Sequence, residues 1–187
     1  MAFMNKKRPN KIVLYVLVAM ISIGLLGSVS IGFWAFSSGS YSSGTAVANN
    51  GSSEAKGNAY FSQAMDKLLA KNDVEGAQKL FKDAIVEYEK ALKETPQNKL
   101  VLGDLATAYF YTGNTDKAIE LVKQALNIDP NFTQARFNYA IYLADGKQQY
   151  MDAIKELQKI KPGDPRYQDA QNLIKQYFEA ISGPKNK

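Results

Sequence analysis

The stretch Lys99–Phe132, KLVLGDLATAYFYTGNTDKAIELVKQALNIDPNF, decides how the rest of the chain is read. Leu102, Leu105, Ala106 and Tyr109 recur at i, i+3, i+4 and i+7, the spacing that puts side chains on one face of an α-helix. Gly113-Asn114-Thr115 breaks that pattern, and Ala118, Val122 and Ala125 resume it before Asp129-Pro130. Two amphipathic helices joined by a tight turn are implied. Gly113 suits the left-handed conformation that ends the first helix, Thr115 can cap the second, and Pro130 stops it.

The same pattern extends to both sides. Thr133 opens a unit carrying Tyr139, Ala140 and Leu143, then Ala153, Leu157, Ile160 and Pro165 after a one-residue insertion near Gly146-Lys147. Arg136 occupies an apolar position of that unit and is expected to weaken its packing. Upstream, from Asn58, the residues Phe61, Met65, Leu68, Ala77, Phe81 and Ala84 repeat the register, but Pro96 comes seven residues late. Ile85, Tyr88, Ala91 and Leu92 carry the apolar stripe through that extra length, so a second helix of roughly 20 residues is expected. Tyr167, Ala170, Ile174, Tyr177 and Ile181 share one face of a final helix before Gly183-Pro184.

With these residues in place, the chain resembles the tetratricopeptide repeat family, and its layout resembles membrane-anchored bacterial members. Counting Lys99 as the first position, Leu102, Leu105, Ala106, Tyr109, Ala118, Val122, Ala125 and Pro130 fall where the family's 34-residue pattern wants large, small, aromatic and proline residues. The expected fold is all-α: repeats at 58–98, 99–132 and 133–166, and a capping helix at 167–182. The resemblance implies a groove lined by the first helix of each repeat, with Thr107, Phe110, Tyr111, Gln134, Phe137 and Ile141 facing a protein or peptide partner, and Leu105, Tyr109 and Ala140 facing the core. Some members clamp a terminal carboxylate with Lys and Asn in this groove. Gly103 and Thr107 stand at those positions here, so that mode is not expected.

N-terminal to the repeats the composition changes. Residues 12–36 form an uncharged apolar run whose length as a helix, roughly 37 Å, exceeds a hydrocarbon core of about 30 Å. Lys6, Lys7, Arg8 and Lys11 lie within the basic segment 1–11 on one side of it, which places the N-terminus in the cytoplasm. The expectation is therefore a single-pass membrane protein with the repeats extracytoplasmic, held through the lipid bilayer. Ala46-Val47-Ala48 keeps a cleaved, soluble carrier as an alternative. Gly24, Ser28 and Gly32 recur every four residues, a spacing that allows close helix pairing and suggests a homo-oligomer or self-associating structural protein. Residues 37–57, with seven Ser and four Gly, read as a flexible linker.

Composition excludes several chemistries. The chain has no Cys and no His, which removes thiol nucleophiles, imidazole bases and the usual zinc ligands. Four of the five net positive charges sit before residue 12, which leaves a near-neutral remainder ill suited to nucleic acid. No phosphate-binding or calcium loop occurs, and no cofactor or enzymatic activity is expected. The functional expectation is an adaptor or scaffold that binds protein partners in an extracytoplasmic, membrane-associated complex.

Overall fold

The computed structural model describes residues 51–182, and seven α-helices occur among them. They are α1 (Ser53–Ala70), α2 (Val74–Glu94), α3 (Lys99–Tyr111), α4 (Thr115–Ile128), α5 (Thr133–Ile141), α6 (Tyr150–Leu157) and α7 (Tyr167–Ser182). Each helix packs on its neighbour in sequence, and the first helices also touch one another, α1 with α3 and α3 with α5. The result is an α-solenoid built from helix pairs.

Local chemistry sets the boundaries. Asp73, Asn98 and Asn114 each accept a hydrogen bond from a backbone N–H of the following first turn, satisfying donors that the helix itself leaves unpaired. The cap of α4 is thus Asn114, one residue before the expected Thr115. Gly113 does take a left-handed conformation, with φ +88°, and α4 stops at Ile128 ahead of Pro130. The second helix of the first pair runs 21 residues, because the apolar stripe through Tyr88 and Ala91 remains buried along the added turns. Ala118 and Ala125 are fully buried where the helices approach one another.

Three sequence expectations change. α1 begins at Ser53, inside the stretch assigned to the linker, because Ser52 caps it and Gly57 lets the helix sit directly against Tyr88. A Cβ on Gly57 would lie 2.6 Å from the Tyr88 ring, which is itself fully buried with its hydroxyl donating to Asn58 Oδ1. Arg136 does not leave a packing defect: its guanidinium pairs with Glu156 at 2.8 Å, both side chains being largely buried, and donates to the Pro130 carbonyl. The inserted residue of the third repeat is absorbed as a π-helical turn, Tyr142–Gly146, that continues α5.

At the C-terminal end, Ala170 and Tyr177 of α7 close the core of the third repeat, packing with Leu143, Ile154 and Leu157. Phe178 and Ile181 remain about half exposed, so the cap covers the array incompletely. No helix among the described residues is long and apolar enough to cross a membrane. The apolar run 12–36, including Gly24, Ser28 and Gly32, and the N-terminal part of the linker lie outside the described residues.

Candidate functional site

The face shared by α3 and α5 is held together by a chain of polar contacts. Gln134 Nε2 donates to Asn138 Oδ1 at 3.0 Å, Asn138 Nδ2 donates to Thr107 Oγ1 at 3.3 Å, and Thr107 Oγ1 lies 2.8 Å from the Tyr142 hydroxyl. Thr107 also donates to the Gly103 carbonyl one turn back, the bond that lets a hydroxyl sit buried within a helix. A hydrogen-bond chain of this kind fixes the relative register of the two first helices. Asn138 and Tyr142 were not among the residues singled out from sequence.

Aromatic rings extend this face toward the turn end of the helices. Phe110 stacks on Tyr142 with ring centroids 4.7 Å apart and meets Tyr111 edge-on at 5.9 Å. Tyr111 in turn stacks on Phe81 of α2 at 4.9 Å and an interplanar angle of 8°. Packing around the Tyr111 hydroxyl, together with the charge of Asp145, pushes its pKa up to about 12.

The six residues expected to line the groove therefore separate into two sets. Phe110, Tyr111, Gln134 and Ile141 keep part of their surface exposed, while Thr107 and Phe137 are buried at 8% and 7%. Phe137 belongs to the core cluster of the third repeat and is covered by the Arg166 guanidinium, 4.7 Å from its ring centroid. Leu105 and Ala140 are buried as expected. Tyr109 is not: it is partly exposed, and its hydroxyl donates to Glu89 across the gap to α2.

The sequence reading passed over Asp145. It sits in the π turn at the loop end of this face, where burial raises its carboxyl pKa to about 6. It makes no hydrogen bond or ion pair with any described residue, and its charge is felt by Tyr111 of α3 and Tyr177 of α7. The one-residue insertion near Gly146 was the signal that could have found it.

A separate cleft of about 900 Å³ opens on the other side, between α4, α5 and α6, over Ile119, Tyr139 and Leu143. Its rim is occupied by ion pairs, Lys147 with Asp116, Lys155 with Asp152 and Lys159 with Glu156, which leave few free charges to recognise a ligand. No group of three or more acidic residues that could hold a metal ion occurs among the described residues.

Residues 68–136, which include the α1–α2 turn and the whole of the second helix pair, match the tetratricopeptide repeat model. Within that span the helix pairs are similar to tetratricopeptide repeats. The chain is similar to the small glutamine-rich tetratricopeptide repeat-containing protein 2 of Mycosarcoma maydis, with 31% identity over 102 residues, 54% of this chain and 28% of that protein. It is also similar to the heat-shock protein cognate (HSC) co-chaperone sgt12 of Aspergillus fumigatus, with 32% identity over 97 residues, 48% of this chain and 28% of that one. The matched tetratricopeptide region is thus well under a third of either relative's length. Among solved structures, the first tetratricopeptide domain of Spaghetti (RPAP3) bound to the HSP90 peptide SRMEEVD shares the fold, with a TM-score of 0.54 and 17% identity, covering 70% of this chain and 98% of that one.

These likenesses correct two expectations. The tetratricopeptide relatives are eukaryotic and not of the membrane-anchored bacterial type. The single-pass, extracytoplasmic localisation is overturned with it, since one relative is named a heat-shock cognate co-chaperone.

Proposed function

We propose that this chain is a non-catalytic protein-interaction module that captures a peptide segment of a partner along the face formed by α3 and α5, and so acts as an adaptor. The observation that carries this reading is the partly exposed row of Phe110, Tyr111, Gln134 and Ile141, seated on first helices whose register is fixed from below by Thr107, Asn138 and Tyr142. A rigid aromatic surface loses little side-chain entropy on binding and is the usual setting of interface hot spots. Leu100, 55% exposed at the start of α3, lengthens the apolar surface.

A second reading is that the partner is an acidic chaperone tail, favoured by the co-chaperone relative and by the HSP90 peptide in the solved structure of similar fold. Gly103 and Thr107 stand where Lys and Asn would be needed to grip a carboxylate, and this favours an apolar ligand over an acidic one.

Fluorescence anisotropy on the full chain, with a labelled amphipathic apolar peptide and with SRMEEVD as probes, separates the two. Phe110→Ala is expected to weaken the apolar peptide roughly tenfold or more, since a buried interface aromatic contributes about 2 kcal/mol. Lys155→Ala, on the opposite side, should leave it unchanged. Tighter binding of SRMEEVD than of the apolar peptide would select the second reading, and equal effects of the two substitutions would remove this face as the site.

A further inference from the structure

The last helix, α7, repeats the layout of a first helix. Ala170 and Tyr177 fall at the places that Val101 and Ala108 hold in α3 and that Ala135 and Tyr142 hold in the third repeat, and all of these are buried. Ile174 falls at the place of Leu105 and Phe178 at the place of Leu143, residues buried inside their own helix pairs, Leu143 in one cluster with Ile154 and Leu157 of α6. On α7 no second helix covers that side among the described residues, and Phe178 is 44% and Ile181 47% exposed. With Ile174 they stand at i, i+4 and i+7, a continuous apolar stripe along one side of the helix. A helix that closes a stacked array normally turns a polar face outward, and α7 does not.

We propose that this stripe pairs with the same stripe of a second copy of the chain, the two α7 helices running antiparallel about a two-fold axis beside Phe178. The residues of α7 are complementary to themselves in that arrangement. Placing Ile174 opposite Ile181 of the second copy brings the two Phe178 rings together at the axis. It also sets Lys175 across from Glu179 on the outer flank of the stripe, and the two-fold makes that ion pair twice. Neither Lys175 nor Glu179 is paired with a described residue, so both charges are available for it. The pairing is closed: each copy uses its only α7, and association stops at a dimer. It is independent of the groove reading and leaves the α3–α5 face of each copy uncovered by α7.

The chain has no cysteine, so introduced thiols report the register directly. Full-length Ile174→Cys and Ile181→Cys chains, mixed and oxidised with copper phenanthroline, are expected to form a mixed disulfide. Each variant alone should cross-link far less, because like thiols would stand roughly 10 Å apart along the helices, beyond the about 7 Å of Cα separation that a disulfide spans. Charge reversal gives a second readout in sedimentation equilibrium. Lys175→Glu and Glu179→Lys should each self-associate several-fold more weakly than the unaltered chain, and a mixture of the two should recover the association, since each then meets opposite charge. Phe178→Glu should abolish the dimer and leave the melting temperature unchanged, its side chain lying outside the core. Cross-linking of each cysteine variant with itself as readily as with the other, or association insensitive to Phe178→Glu, would overturn the α7 pairing and place self-association elsewhere in the chain. A monomer at every concentration would overturn it as well, and none of these outcomes touches the groove reading.

Discussion

Phe81→Ala is expected to destabilise the repeat array by about 3 to 5 kcal/mol, the range for removing a fully buried aromatic ring. Phe81 is 1% exposed and is the meeting point of three helices: it stacks on Tyr111 of α3 and receives Phe61 of α1 edge-on at 5.4 Å. Removing the ring abolishes both contacts and opens a cavity that none of the three helices can close without losing its other neighbours. Phe137→Ala should cost a similar amount, because Phe137 is equally part of a core. Urea unfolding followed by circular dichroism measures both. A loss under about 1 kcal/mol at either position would mean that the packing described for that repeat is wrong.

These two phenylalanines mark how far the sequence could be read. Periodicity located the helix pairs, because burial of an apolar stripe is what makes an amphipathic helix stable. It could not tell which side of a stripe meets a neighbouring helix and which meets a ligand. Phe137 and Tyr111 both occupy expected groove positions, yet Arg166, brought in by the turn before α7, covers the first and leaves the second partly open. That difference depends on a contact between residues far apart in sequence, which no local pattern encodes. Arg136 was misjudged for the same reason, since its partner Glu156 lies 20 residues downstream. Asp145 was missed because a π turn shifts register within a helix, and a regular repeat template reads the shift as an insertion in the following loop.

Asp145→Asn is expected to stabilise the protein at neutral pH. The folded-state carboxyl titrates at about 6, raised by burial, whereas in an unfolded chain it titrates near 4. Below about pH 4 the carboxyl is neutral in both states and resembles the amide. As pH rises through the interval from 4 to 6, the unfolded chain ionises first and the folded state falls behind. Above pH 6 the folded protein carries the whole penalty, on the order of 3 kcal/mol for a shift of about two pH units. The stability difference between variant and unaltered chain should therefore be small at pH 4 and reach about 3 kcal/mol by pH 7.5. Unfolding free energies at those two values check it, and a constant difference would show that Asp145 is solvated.

The length of α2 bears on how the chain acquires its structure. The hairpin of α1 and α2 is the most extensively packed pair of elements, and only the turn Lys71–Asp73 separates its strands of helix. Contacts between segments so close in sequence need little loop closure, and repeat arrays fold from whichever unit forms first and add neighbours to it. The first hairpin can complete itself once residue 94 has emerged during synthesis, before α3 to α7 have all emerged to pack on it. Its amides should then be the earliest protected in pulse-labelled hydrogen exchange, with those of α7 among the last. The seven added residues of α2 would in that case serve as a template on which the later helices are laid down.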